Sequence, residues 1–176
     1  MKKLFYLLIY SSLMCSCSPS ITHVPLKNDY DKIKKVYYSE KSKDDVWDML
    51  VKLFARKGYG IKIIDKSSGL IVAENADFAD QRTFEDEKGK MYHPERYLVC
   101  SYYEDGLSQI TPAKIRGSWN VLVSVIDSKT FIEINLTNIE AYDYGFGNPQ
   151  ILRPSMYRFT IKSTGVFEKE IADYIK

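Results

Sequence analysis

Apolar residues recur at two different spacings in this chain, and the spacing separates helical from extended stretches. Val46, Trp47, Leu50, Val51, Leu53 and Phe54 repeat at helical intervals, while Lys43, Asp44, Asp48 and Lys52 fall mostly off that stripe. Ser42-Lys43-Asp44-Asp45 sets an acid three residues after a serine, the arrangement of a capping box. Basic Arg56 and Lys57 suit a helix carboxyl end, and Gly58 stops it. These signals predict a helix over about 42–57. A second helix is predicted from Ser163-Thr164-Gly165 onward, with Phe167, Ile171, Tyr174 and Ile175 on one stripe.

The alternating stretches predict strands. Ile33 to Tyr38 reads as a first strand or an ordered lead-in. Ile61, Ile63 and Ile64, then Lys66-Ser67-Ser68-Gly69, then Leu70-Ile71-Val72-Ala73 read as a hairpin. Tyr97 to Tyr102 reads as another strand. From Trp119, every second residue (Val121, Val123, Val125) belongs to one face, and after the turn Asp127-Ser128-Lys129 the residues Ile132, Ile134 and Leu136 continue the alternation. One dry and one wet face is the mark of an antiparallel sheet. Residues 76–96 are polar and charge-rich, which predicts a surface loop or irregular insertion. Tyr142-Asp143-Tyr144-Gly145-Phe146-Gly147-Asn148-Pro149 reads as an aromatic, glycine-rich loop. The fold class expected is α+β: an antiparallel sheet of about five to six strands with two helices packed on one face.

The amino end carries a different signal. Met1-Lys2-Lys3 precedes the apolar run Leu4 to Tyr10, the layout of a secretory signal peptide. That run is shorter than the roughly 20 residues that span a bilayer. Ser11-Ser12-Leu13-Met14-Cys15-Ser16-Cys17-Ser18 then resembles the lipobox of bacterial lipoproteins, in which the chain is cut before a cysteine that becomes acylated. Cys17, preceded by Ser16, fits better than Cys15, preceded by bulky Met14. The expected organisation is a signal at 1–16, a proline-containing tether at 17–32 and one α+β domain at 33–176, with lipidation at Cys17.

Charge adds one exclusion. The chain has 25 basic and 23 acidic residues; removing 1–16 takes away Lys2 and Lys3 and no acid, leaving 23 of each. A neutral mature chain offers no positive footprint for nucleic acid. After the cut only Cys100 remains as a thiol, inside an apolar run where it acts as a small hydrophobe. His23 and His93 are too few and too far apart for a transition-metal site. The acids Asp77, Asp80, Glu85, Asp86 and Glu87 lack calcium-loop spacing and read as a solvated face. No Gly-x-Ser-x-Gly and no phosphate-cradling loop occurs, so neither metal nor cofactor is expected. The 14 tyrosines fit half-buried sheet positions, with ligand stacking as the alternative. Tyr142, Tyr144 and Phe146 are the candidate partner-binding residues, rigid rings for a protein or a glycan; the alternative is that they pack back on the sheet edge. Trp47 and Trp119 sit in periodic apolar patterns and read as core.

Ser42 to Leu50 with Gly60 to Ile71, and Ser163 to Ile171, resemble exported domains with a TATA-binding-protein-like sheet found in lipoproteins of Bacteroides-type bacteria. The layout is also similar to BamC-like lipoproteins of the outer-membrane barrel-assembly machinery. The resemblance covers about 34–176 and assigns no catalytic residue. It implies a non-enzymatic envelope lipoprotein that binds or scaffolds another envelope component. Because no acidic run follows Cys17, it also implies the periplasmic face of the outer membrane rather than the cell surface. Two other readings stay open: a hydrolase of envelope glycan, which needs two carboxylates about 5 to 9.5 Å apart, and a carrier for an apolar ligand, which needs a cavity of at least about 300 Å³.

Overall fold

The computed structural model describes residues 20–75, 77–145 and 148–176. The signal sequence and Cys17 lie outside the described residues, as does Phe146.

Helix α1 (Lys43–Arg56) begins where the Ser42 hydroxyl accepts the Asp45 backbone N–H at 3.1 Å. Its stripe is driven inward: Val46, Leu50 and Phe54 are fully buried, with Trp47 and Leu53 nearly so. Gly58 ends it at φ 71°, a left-handed conformation that suits glycine. Strands β2 (Val36–Ser39), β3 (Gly60–Asp65) and β4 (Leu70–Asn75) flank the helix in sequence. The β3–β4 turn depends on Gly69 at φ 83°: a Cβ there would stand 2.0 Å from the Val123 carbonyl oxygen.

Two long strands, β9 (Lys114–Ile126) and β10 (Lys129–Gly145), form the centre of the main sheet. Asp127 and Ser128 both have positive φ, 49° and 61°, as a two-residue hairpin turn of matching twist requires. With β11 (Asn148–Pro154) the order is β11-β10-β9-β4-β3, and β2 pairs with β10, giving six strands. Direct cross-strand neighbours share a face, so Ala73 and Ile71, Trp119 and Val121, Leu136 and Ile134 all point the same way. Both helices cover that face. Helix α2 (Val166–Tyr174) sets Phe167 with its ring centroid 4.3 Å from that of Trp119 and 6.2 Å from that of Phe54 of α1. The sheet is antiparallel, as the alternation predicts.

Two smaller sheets depart from the single sheet expected. β1 (Thr22–Val24), β7 (Tyr102–Glu104) and β8 (Gln109–Ile110) make one; β12 (Ile161–Ser163), β6 (Leu98–Cys100) and β5 (Arg82–Thr83) make the other. The run at 97–102 is therefore divided between two sheets. Buried Ser101 marks the break: its N–H donates to the Thr160 carbonyl and its hydroxyl accepts the Thr160 N–H, both at 2.8 Å.

Three other expectations change. Residues 76–96 are not only surface loop: Phe78 is fully buried edge-on to Trp119, and β5 pairs in parallel with β6. Part of the segment expected as a tether is docked instead, with Thr22–Val24 paired to β7. Glu85 fastens its continuation, accepting from the Lys27 N–H and the Asn28 amide at 2.5 Å and from the Tyr30 hydroxyl at 2.6 Å. Burial alone would push the Glu85 carboxyl up, but these donors outweigh it and hold it below the usual range. Burial and the same contact push the Tyr30 hydroxyl up to about 12. Finally, the described residues of the aromatic stretch expected as a loop, 142–145 and 148–149, are strand. β10 runs on through Tyr142 and Tyr144, which pair with Pro154 and Leu152 of β11. Pro149 and Pro154 are tolerated because β11 is an edge strand.

A polar clamp ties the helices together. Tyr97 donates to Glu170 at 2.7 Å and accepts from Lys57 at 2.9 Å, while Lys57 and Glu170 pair at 2.7 Å. Burial alone would lower Lys57, yet its two partners raise it; burial would raise Glu170, yet Lys57 and Tyr97 hold it down. Both stay charged at neutral pH. Cys100 is fully buried, and that burial pushes its thiol up to about 12, as befits an inert packing residue.

Candidate partner-binding site

Tyr142 and Tyr144 stand two residues apart on β10 and so share a face, the one opposite the helices. Tyr144 is 57% exposed and Tyr142 half-buried. Tyr142 does not pack back into the core: its hydroxyl donates to the Glu140 carboxylate and the Arg116 guanidinium lies 4.9 Å over its ring. The hydrogen bond to Glu140, then partial desolvation, raises the Tyr142 hydroxyl above its ordinary value. The ring is thus held at its hydroxyl and over one face.

Beside Tyr142 the same open face holds a polar cleft of about 850 Å³. Lys62 and Glu74, paired at 2.8 Å, form one wall; Arg116, Asn138 and Glu140 form the other. Gly58 and Gly60 leave backbone exposed at its end, with open space where a side chain would stand. The cleft owes its shape to a β-bulge. The β9–β10 register shifts between Thr137 and Glu140, and Asn138 takes φ 52°, a left-handed conformation asparagine tolerates. Such an arrangement can hold a polar ligand through both signs of charge, an amide and a ring face. Two carboxylates line it, and both are engaged: Glu74 by Lys62, and Glu140 by Tyr142.

The sequence singles out Tyr142, Tyr144 and Phe146, the last outside the described residues, but not Arg116, Lys62, Glu74 or Asn138, which arrive from β9, β3, β4 and the bulge. One signal was present. The apolar phase of β10 runs Ile132, Ile134, Leu136 and then slips to Ile139 and Ala141, which a single extra residue explains. Among the described residues, no group of three or more His, Cys, Asp and Glu side chains is placed to hold a metal ion. Comparison of the sequence with protein-family models and with curated proteins returned no match.

Proposed function

We propose that this chain is a lipid-anchored cell-envelope module that binds another envelope component, a protein or a glycan, through the Tyr142–Tyr144 face of the paired β10 and β11 strands and the adjoining cleft. The observation that carries the location is Ser16-Cys17 directly after a lysine-led apolar run. The support for binding is an exposed ring beside one held by Arg116 and Glu140, on the sheet face the helices leave bare. The element order of helix, hairpin, long antiparallel strands and closing helix supports reading the main sheet as TATA-binding-protein-like, of the BamC-like kind, with the two small sheets as additions. The absence of an acidic run after Cys17 favours the periplasmic face of the outer membrane.

Intact-mass analysis of protein from envelope membranes tests the anchor. The expected product begins at Cys17 and carries fatty acyl mass; a chain beginning at Met1, or an unmodified soluble thiol at 17, overturns it. In-cell photo-crosslinking tests the surface. A probe at Tyr144 is expected to give a discrete adduct that Tyr142→Ala with Arg116→Ala abolishes, and an adduct indifferent to both substitutions overturns the assignment. Glu74 and Glu140 keep glycan hydrolysis as a second reading: release of reducing ends from purified envelope glycan, lost in Glu74→Gln or Glu140→Gln, would make this a hydrolase.

A further inference from the structure

Strand β2 pairs with β10 only, so among the described residues its other edge has no strand beside it. The Ile134 N–H donates to the Lys35 carbonyl at 2.9 Å. Residues 35, 37 and 39 therefore turn their backbone groups to β10, and by the alternation of an antiparallel ladder Val36 and Tyr38 turn theirs to the open edge. An unpaired edge is a template for another strand.

This edge opens on a groove of about 780 Å³ between β2 and α2, apart from the cleft on the bare face. Its floor is apolar, from Ile33, Tyr37, Val166 and Ala172. Its rim is basic: Lys34 is exposed, and Lys169 and Lys176 stand largely in solvent, 74% and 70% accessible. Two acids line the groove: Asp173 of α2, shared by Lys169 and Lys176 at 2.6 and 2.7 Å, and exposed Glu40 just after β2; against Lys34, Lys169 and Lys176 they leave a single positive charge in excess among the lining side chains. Val36 and Tyr38, 46% and 57% exposed, flank the edge on the opposite sheet face.

We propose that this groove takes an extended acidic segment of a partner protein as an added strand on β2. The backbone of Val36 and Tyr38 supplies the ladder. The two faces of the incoming strand are distinguished by what they meet: apolar side chains beside Val36 and Tyr38, carboxylates toward Lys34, Lys169 and Lys176. The partner segment is thus an amphipathic strand with alternating apolar and acidic positions.

The test uses the full chain in detergent and a fluorescent seven-residue peptide, blocked at both ends, alternating valine with glutamate. Saturable binding by anisotropy is expected, with the same peptide carrying lysine in place of glutamate at least about tenfold weaker. Lys169→Glu with Lys176→Glu should reverse that preference. Tyr38→Pro removes the outward N–H and no β2–β10 hydrogen bond, and should weaken the glutamate peptide by about tenfold or more. Should Tyr38→Pro lower the melting temperature, amide exchange of the unsubstituted protein decides instead: the peptide should protect the Val36 and Tyr38 amides. No saturable binding at millimolar peptide, or equal binding of both peptides, overturns the proposal. So does a concentration-dependent dimer whose protection maps to Val36 and Tyr38, which would assign the edge to a second copy of the chain.

Discussion

The two faces of the main sheet are built from alternate residues of the same strands, yet they have opposite fates. On one, Trp119, Val121 and Val123 are fully buried under Phe167 and the α1 stripe. On the other, Leu122 is 39% exposed among Asn120 and Ser124, and further along the sheet lie Arg116, Glu140 and Tyr142. The covered face supplies the cohesion, since nearly all the large fully buried side chains converge on its core. The bare face is thereby free to carry charges, a bulge and exposed rings that would be costly inside.

The largest expected effect tests that contrast directly. Trp119→Ala should cost about 3 to 5 kcal/mol, while Leu122→Ala, three residues on and facing the other way, should cost less than about 1 kcal/mol. Urea midpoints at constant slope measure both, and comparable losses would mean that the bare face is covered in solution.

Next come the glycines. Gly69 and Gly106 share φ 83°, but a side chain at Gly69 meets the Val123 carbonyl whereas Gly106 faces open space. Gly106→Ala should cost about 1 to 2 kcal/mol from conformation alone. Gly69→Ala should cost distinctly more, because β9 must shift; equal losses in calorimetry would dissociate the turn from the sheet.

The helix clamp is expected to appear in the pH profile. Glu170 is depressed by Lys57 and Tyr97, so its contribution is present above the ordinary carboxylate value of 4.5 and fades as pH falls below it. Lys57 is raised, so its contribution holds below 10.5 and fades as pH rises beyond that. Glu170→Gln should flatten the acid arm of a melting-temperature profile, and an unchanged arm would remove the clamp from the account.

The smallest effect belongs to the bulge. Asn138→Gly should move stability by no more than about 0.5 kcal/mol, whereas Asn138→Val should cost about 1 to 2 kcal/mol at a left-handed position. Tolerance of valine, read from denaturation curves, would mean the bulge is not fixed.

Local signals were legible wherever they were periodic or capped. Ser42, the α1 stripe, the Gly69 turn and the Trp119-to-Leu136 alternation each declare themselves within a few residues. The small sheets do not, because strands of two or three residues have no period, and Thr22–Val24 meets Tyr102–Glu104 only once the chain has folded. Phe78 sits among charged neighbours, yet its ring packs on Trp119 and its N–H donates to the Ile115 carbonyl, so it ties that segment to the core. The tyrosines of the candidate site were visible as residue types. Their setting was not, since Arg116, Lys62 and Glu74 are brought to them by sheet register.

The docking of β1 has a mechanical outcome for the proposed anchor. Five peptide steps separate Cys17 from Thr22, a reach of at most about 18 Å when fully stretched. Thr22 lies opposite Glu104, next to the β7–β8 turn at whose tip Leu107 is 96% exposed. A domain fastened so closely would not sweep a wide hemisphere on a floppy leash. With Cys17 acylated it would ride low over the lipid headgroups, one end held down, and what it could touch would be set by what passes along the bilayer plane.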